Sequence, residues 1–368
     1  MLLLSKKNLS MLKFSYGFAR LVRGGYRRIK WLLSDNWTVE SRPEGKSILF
    51  IYDFNTQPFS VGDILTVQAA SLALAKFNGC ENVDFAFIYS ADNPAIEAPD
   101  YQHMKAGEFY FHLMPLVTVL QVNPLLRSFF IFDSKNKLEK HIVDNSERYL
   151  VWPTVGMYAS GEYLFYSCMN GLFVDHFNLY GNPPYLECSQ ATRLWAESFI
   201  EDAARGVEIR ISLQIRLNPH NTARNSVIPA WEALFQNLEQ LKIHVIFFVV
   251  CGLNELPKEW VSYKNVVLVK LNHTSLEQDL AVIGACDYHM GASSGPAMVA
   301  ILGSKPYRLY GYDGDESRLR CLVNEFGRQR FSFSGPNQYL LRRREDADIL
   351  LADVLEMTDI SKRPELKI

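Results

Sequence analysis

The sequence predicts an α/β protein in which two Rossmann-like domains face each other across a cleft. Short apolar runs alternate with helical patterns along both halves of the chain, which is typical of proteins with parallel sheets. A turn-forming segment, Gly181-Asn182-Pro183-Pro184, separates the two alternating series. The length of 368 residues also favours two domains over one.

Each element follows from apolar periodicity and from breaking residues at its ends. In the first half we predict strands at 47–52 and 83–89 and a helix at 64–77. The region 98–185 is less regular, and its aromatic stretch 152–185 receives no function. In the second half we predict helices at 189–204, 227–241, 274–285, from Pro296 onward and at 346–357, and strands at 208–215, 244–251, 266–271, 288–290 and 307–310.

Composition excludes several classes of protein. The formal net charge of -2 argues against a nucleic-acid-binding protein. The cysteines are scattered without a CxxC pair and the histidines are unpaired, so no structural metal site, no disulfide framework and no metal cofactor is predicted. A reducing, cytoplasmic compartment is the simplest interpretation. No run is long and apolar enough to cross a bilayer.

The N-terminal segment is strongly basic, since no acidic residue precedes Asp35. On a helix, Lys13, Arg20 and Arg27 fall on one face and apolar side chains on the other. Such a helix lies in a membrane interface and binds anionic lipid. We therefore expect residues 1–33 to hold the protein at the inner face of the cell membrane. A helix packed on its own domain and an Arg-rich transit peptide are the alternatives.

The segment 291–296 predicts an anion site. It reads Gly-Ala-Ser-Ser-Gly-Pro between an apolar run and a helix that starts at Pro296. Backbone N–H groups at a helix N-terminus lack partners, and the helix dipole is positive there. Glycines would let a ligand approach the backbone closely. We expect Ser293, Ser294 and Gly295 to hold phosphate groups, although a plain capping turn is the alternative.

Two motifs carry a resemblance to a known family. The pattern Gly291, Ser294-Gly295-Pro296, Ala300, Gly303 and Pro306 resembles the donor-site signature of the ADP-heptose:lipopolysaccharide heptosyltransferases, which have the GT-B fold. The segment Ser60-Val61-Gly62-Asp63 is similar to the S-x-G-D motif in the first half of that family. The resemblance implies an inverting, metal-independent glycosyltransferase in which Asp63 is the catalytic base.

The basic and amphipathic patterns give the terminal segments their roles, and the resemblance gives the two domains theirs. Residues 1–46 would associate with the membrane, 47–188 would form the acceptor domain, and 189–340 would form the nucleotide-sugar donor domain, followed by a C-terminal helix in 341–368. The spacing of Asp279 from the serine turn is similar to that in fucosyltransferase-type GT-B enzymes. This similarity implies that Asp279 belongs to the donor site.

Five side chains are candidates for the chemistry of transfer. A carboxylate at Asp63 would take the proton of the acceptor hydroxyl, unless it only caps the following helix. Asp53, at the end of a strand, is the second candidate base, or else a turn residue. Arg216 and Arg224 would stabilise the leaving diphosphate, unless they are ordinary surface arginines. His220, in the same loop as Arg224, would contact phosphate or have no role in the site.

The pair Asp313 and Asp315 forms a DxD motif, which holds a metal ion in GT-A enzymes. Its glycine-rich context favours a turn. We therefore predict a glycosyltransferase that moves a sugar from a nucleotide-sugar donor to a lipid-linked or cell-surface glycan or glycolipid. A nucleotide-sugar epimerase or hydrolase on the same fold, and a non-catalytic nucleotide-sugar-binding scaffold at the membrane, are the alternatives.

Overall fold

The computed structural model describes residues 46–54, 60–88, 109–153, 166–218, 222–250, 256–311, 322–325 and 328–360. The membrane-associating segment predicted for residues 1–46 lies outside this part of the chain, apart from Lys46. Among the described residues, no helix is both long enough and apolar enough to cross a membrane.

The first half forms a parallel sheet of four strands in the order β3-β2-β1-β4. β1 and β2 are buried at every position because helices cover both faces of the sheet, which explains their mostly apolar sequences. The buried Asp84 of β2 is an exception and pairs with Arg127. The elements of this half are β1 (Ser47–Asp53), α1 (Val61–Asn78), β2 (Val83–Ile88), α2 (Phe109–Thr118), β3 (Leu126–Phe132), α3 (Lys135–Asp144), β4 (Tyr149–Trp152) and α4 (Tyr166–Tyr180).

The second half forms a sheet of eight strands in the order β10-β11-β12-β9-β8-β5-β6-β7. Neighbours from β12 to β7 are parallel, and β10 to β12 are antiparallel. The elements are α5 (Gln190–Ala204), β5 (Ile209–Gln214), α6 (Ile228–Gln240), β6 (Val245–Val250), β7 (Val266–Leu268), α7 (Leu276–Ala285), β8 (Tyr288–Ala292), α8 (Met298–Leu302), β9 (Tyr307–Tyr310), β10 (Leu322–Glu325), β11 (Arg328–Phe331), β12 (Gln338–Leu340) and α9 (Ala347–Thr358).

Helix α1 lies between the two halves. Its residues from Ile64 to Ala75 are all buried, so it has no solvent-facing stripe. It packs against α4 of its own half and against α8 and the preceding turn of the second half. Val67 of α1 and Leu302 of α8 belong to one apolar cluster. The two halves therefore share a continuous core along this helix.

The sheets fall on either side of the predicted division at residue 188, which remains our proposal. Helix α5 begins directly after it, where the Ser189 side chain accepts a hydrogen bond from the Thr192 N–H. The predicted C-terminal helix forms as α9 and packs on α6 of the second half. Because α9 packs there, the second half includes this C-terminal helix in addition to its sheet and the helices between its strands.

Several sequence-based boundaries differ from the structure. The strand predicted at 266–271 ends at Leu268, where a 3₁₀ helix, Val269–Asn272, begins. Helix α1 begins three residues before the predicted Ile64, because Ser60 caps it and Val61 to Asp63 form its first turn. The helix predicted from Pro296 onward is a 3₁₀ turn, Gly295–Ala297, followed by the single α-helical turn of α8. Gly303 ends α8, so its macrodipole is small.

Candidate active site between the two halves

The first motif forms the N-terminus of α1. The Ser60 hydroxyl accepts a hydrogen bond from the Asp63 N–H at 3.1 Å and also donates to Oδ2 of the Asp63 carboxylate. Asp63 is therefore the third residue of the helix and not its cap. The interpretation that Asp63 only caps the helix is thus wrong, because Ser60 does this.

The carboxyl group of Asp63 is partly buried at the junction of the two halves. Burial raises its pKa above the ordinary value, and the hydrogen bond from Ser60 partly opposes that rise. A carboxylate with a raised pKa is a stronger proton acceptor than an exposed one. The site therefore gives Asp63 a raised pKa, which is the property that a general base needs.

The second motif begins in the last two residues of strand β8, which lies beside β5 in the sheet. Gly291 pairs with Gln214 and has a φ of 140°, in the region that favours glycine. A Cβ atom there would lie 2.1 Å from the carbonyl oxygen of Gln214. Gly291 is therefore required for strand packing, and protein backbone occupies the room that we had expected a ligand to use.

The two motifs meet at a pair of glycines. A Cβ atom on Gly62 would lie 2.9 Å from Cα of Gly295, and one on Gly295 would lie 2.5 Å from the backbone nitrogen of Gly62. No side chain fits between the two backbones. Asp63 follows Gly62 directly, so the candidate base is held next to the Ser293–Gly295 turn.

Two buried polar atoms beside this turn have no hydrogen-bond partner among the residues that the structure describes. They are Oγ of Ser294 and Oε1 of Gln214, which ends β5. Ser294 also makes no capping hydrogen bond. Buried polar atoms normally have partners, so a bound water or a ligand is the expected complement here. Gln214 had no site role in the sequence analysis, because an orphaned atom is visible only once its neighbours are known.

The predicted arginines lie in the loop that follows β5. Nη2 of Arg224 donates to the carbonyl oxygen of Ser293, so this side chain contacts the turn directly. Nη1 of Arg216 donates to Oδ1 of Asn225 at 3.0 Å. Ser226 closes the loop through a hydrogen bond of 2.8 Å from its N–H to the Arg216 carbonyl. Both cations therefore belong to one folded loop at the turn.

Asp53 and Asp279 have no exposed surface. Oδ2 of Asp53 lies 3.5 Å from Nζ of Lys135, at the start of α3. Oδ2 of Asp279 lies 2.6 Å from Nζ of Lys270, and its Oδ1 accepts a hydrogen bond of 2.6 Å from Thr274. Each carboxylate is thus committed to protein partners, and neither offers a free face to a ligand in this conformation.

The remaining candidates lie outside the described residues. These are the DxD motif at Asp313 and Asp315, and His220. Among the residues that the structure describes, no cluster of three or more His, Cys, Asp or Glu is arranged to bind a metal ion.

Solved structures share the architecture. The chain is similar to E. coli ADP-heptose lipopolysaccharide heptosyltransferase II, with 12% identity, 86% of this chain and 99% of that chain covered, and a TM-score of 0.50. The chain has the GT-B fold. The predicted fold class is thus confirmed.

Two more distant likenesses have lower TM-scores. The glycosyl transferase family 9 structure from Veillonella parvula gives 11% identity and a TM-score of 0.47, with 86% of this chain and 91% of that chain covered. The structure of E. coli heptosyltransferase WaaC with ADP gives 12% identity and a TM-score of 0.46, with 84% of this chain and 99% of that chain covered. No family model and no curated protein matches the chain in sequence.

Proposed function

We propose that this protein is a glycosyltransferase that moves a sugar from a nucleotide-sugar donor to a glycan or glycolipid acceptor. The observation that carries the proposal is the backbone contact between Gly62 and Gly295. Through it, two motifs that are distant in sequence come together between the halves of a GT-B fold. One supplies a carboxylate and the other supplies a turn beside two arginines.

The chemistry follows from this arrangement. An acceptor hydroxyl oxygen attacks the anomeric carbon of the donor, the bond from that carbon to the diphosphate oxygen breaks, and Asp63 takes the hydroxyl proton. Attack opposite the leaving group inverts the configuration. Arg216 and Arg224 provide positive charge for the departing diphosphate, together with the Ser293 hydroxyl and the N–H groups of Ser294 and Gly295. This charge would replace a metal ion, so we propose metal-independent transfer.

We assign supporting roles to the two other acidic candidates. Asp53 anchors α3 through Lys135, and Asp279 ties the start of α7 to Lys270 and Thr274. A buried carboxylate would also repel a diphosphate, so direct donor binding by Asp279 is disfavoured. Both residues would act by holding the loops of the site.

The proposed acceptor is lipid-linked, so the enzyme would have to reach a membrane surface. We propose that residues 1–33 bind anionic lipid at the cytoplasmic face of the cell membrane, which would bring the enzyme to a lipid-linked acceptor. Vesicles with and without phosphatidylglycerol would test it by co-sedimentation, comparing the full chain with a variant that combines Lys13→Gln, Arg20→Gln and Arg27→Gln. Equal sedimentation of both proteins would contradict the proposal.

The first test of the proposed function is nucleotide binding. We expect one of UDP, GDP, ADP or CDP to raise the melting temperature, because a ligand that binds only the folded state stabilises it. The shift should persist in EDTA. A shift that needs Mg²⁺ would contradict metal independence. If no nucleotide shifts the melting temperature, the donor site is refuted. Donor turnover without an acceptor would favour the epimerase or hydrolase alternative.

Removing the Ser60 hydroxyl should alter the pH dependence of transfer. The hydrogen bond from Ser60 favours the ionised form of Asp63 and lowers its pKa. We therefore expect Ser60→Ala to move the acidic limb of kcat/KM to higher pH. Ser60→Thr keeps the hydroxyl and should retain the wild-type profile. Ser275→Ala removes an equivalent cap from α7 and controls for lost helix stability. An unmoved limb in Ser60→Ala would argue against Asp63 as the base.

A further inference from the structure

The carboxyl ends of four neighbouring parallel strands meet at the edge of the sheet that carries the candidate site. In the order β12-β9-β8-β5, these strands are followed by residues 341–344, Gly311, Ser293 and residues 215–218. The Ser293 N–H donates to the Tyr310 carbonyl at 3.1 Å, and the Gly311 N–H donates to the Arg343 carbonyl at 3.1 Å. The segment after β12 therefore lies in the same row as the serine turn.

That segment contains three consecutive arginines with different surroundings. Nε of Arg342 donates to Gln329 at 3.3 Å, on the neighbouring strand β11. Nη2 of Arg343 contacts both carboxylate oxygens of Asp353, at 2.9 and 2.7 Å. Arg344 instead reaches the loop after β5, where its Nη2 donates to the carbonyl of Asn225 at 2.8 Å.

Hydrogen bonds consequently link three arginines to the loop segment Arg224-Asn225 and to the serine turn. Asn225 accepts from Arg344 through its carbonyl and from Arg216 through its side chain. Its neighbour Arg224 contacts Ser293. Within the described part of the chain, neither Arg224 nor Arg344 forms an ion pair, and both side chains are exposed. Each donates to a backbone carbonyl only, so its charge is not neutralised.

We propose that Arg344 is a third phosphate-binding residue of this site and acts with Arg216 and Arg224 on a diphosphate group. This inference rests on the proposed function, because it identifies the diphosphate of the donor as the ligand. Guanidinium groups match the geometry of phosphate oxygens, and unpaired ones retain free N–H donors for them. A purely structural role, in which Arg344 only ties the loop at Asn225, is the competing explanation.

The test measures binding of inorganic pyrophosphate and of UDP, GDP, ADP and CDP by calorimetry. The proteins are the full chain and the variants Arg344→Gln, Arg344→Lys and Arg342→Gln. We expect Arg344→Gln to weaken pyrophosphate binding about tenfold, as for loss of one charged hydrogen bond. Arg344→Lys should recover much of the affinity at low salt, where charge acts most strongly. Arg342→Gln alters the same run but should bind like the wild type.

Each outcome decides between the explanations. Absence of pyrophosphate binding to the wild type overturns the inference, and so does equal binding by Arg344→Gln. A lower melting temperature in Arg344→Gln with unchanged affinity would identify a structural tie only. If pyrophosphate binds in an Arg344-dependent manner while no nucleoside diphosphate binds more tightly, the anion site stands and the donor assignment of the proposed function fails.

Discussion

Asp63→Asn should lower the rate of sugar transfer by about 10²–10⁴-fold, the usual contribution of a positioned general base. The amide has nearly the same shape as the carboxylate but cannot take the acceptor proton. Nucleotide binding should be retained, because Asp63 lies on the first-half side of the junction, in α1. The decrease should therefore appear in kcat, measured with donor and acceptor at saturation.

Asp53→Asn is the matched control for this variant. It removes the other candidate carboxylate, which is buried beside Lys135 at the end of β1. We expect a modestly lower melting temperature and near-normal transfer by the folded protein, since the substitution removes the ion-pair partner of the half-exposed Lys135. The reverse pattern, with transfer lost in Asp53→Asn and kept in Asp63→Asn, would exchange the two roles. Full activity of Asp63→Asn would leave the scaffold alternative standing.

The stability of Asp63→Asn gives an independent measurement. Burial raises the pKa of Asp63 in the folded protein above its unfolded value. The contribution of this group to stability is therefore complete at low pH, below the unfolded pKa, and is lost as the pH rises through the folded pKa. Asn carries no charge to bury. We expect the melting temperature of the variant, relative to wild type, to increase as the pH is raised across that range.

Gly62→Ala should reduce the rate of transfer by displacing the reacting groups, while the base Asp63 itself is kept. The added Cβ atom would lie 2.9 Å from Cα of Gly295, so one backbone must move. Overpacking of this kind costs about 1–3 kcal/mol. A displacement of about 1 Å between reacting groups can lower a rate about 10²-fold. We expect a lower melting temperature and a rate decrease of that order, while the acidic limb of the pH profile keeps its position.

Gly171→Ala is the control for this substitution. Gly171 lies in helix α4, is exposed, and has no atom within 4 Å of the position that a Cβ would take. Alanine there should stabilise the helix by about 0.5–1 kcal/mol and leave transfer unchanged. Gly295→Ala approaches the same contact from the second half and should behave like Gly62→Ala. Wild-type activity and stability in both contact variants would show that the two backbones have room to separate without consequence.

Local patterns allowed much of the fold to be predicted. β1, β2 and β6 are mostly apolar because both faces of a parallel sheet are covered, and they lie within one or two residues of the predicted strands. The start of α1 was missed by one turn, since both Ser60 and Asp63 are favourable near a helix start and only the observed hydrogen bonds distinguish them.

The candidate site was predicted only in part. The motifs around Asp63 and Ser293 were recognisable as small-residue turns between a strand and a helix. Arg344 was not predicted, because its position beside Arg224 depends on β12 joining the sheet next to β9. The short α8 also differs from expectation at its start, since the residues around Pro296 form a 3₁₀ turn before the α-helix begins at Met298.

By itself, the sequence determined the α/β alternation, the positions of most strands and the two motifs, because these depend on contacts between near neighbours in the chain. Only the tertiary structure decided what the glycines of the motifs are for. Gly291 admits the backbone of Gln214, and Gly295 admits that of Gly62. The physical reason is that a glycine is permissive toward any close neighbour, so its sequence context cannot specify whether a ligand or another strand occupies the space.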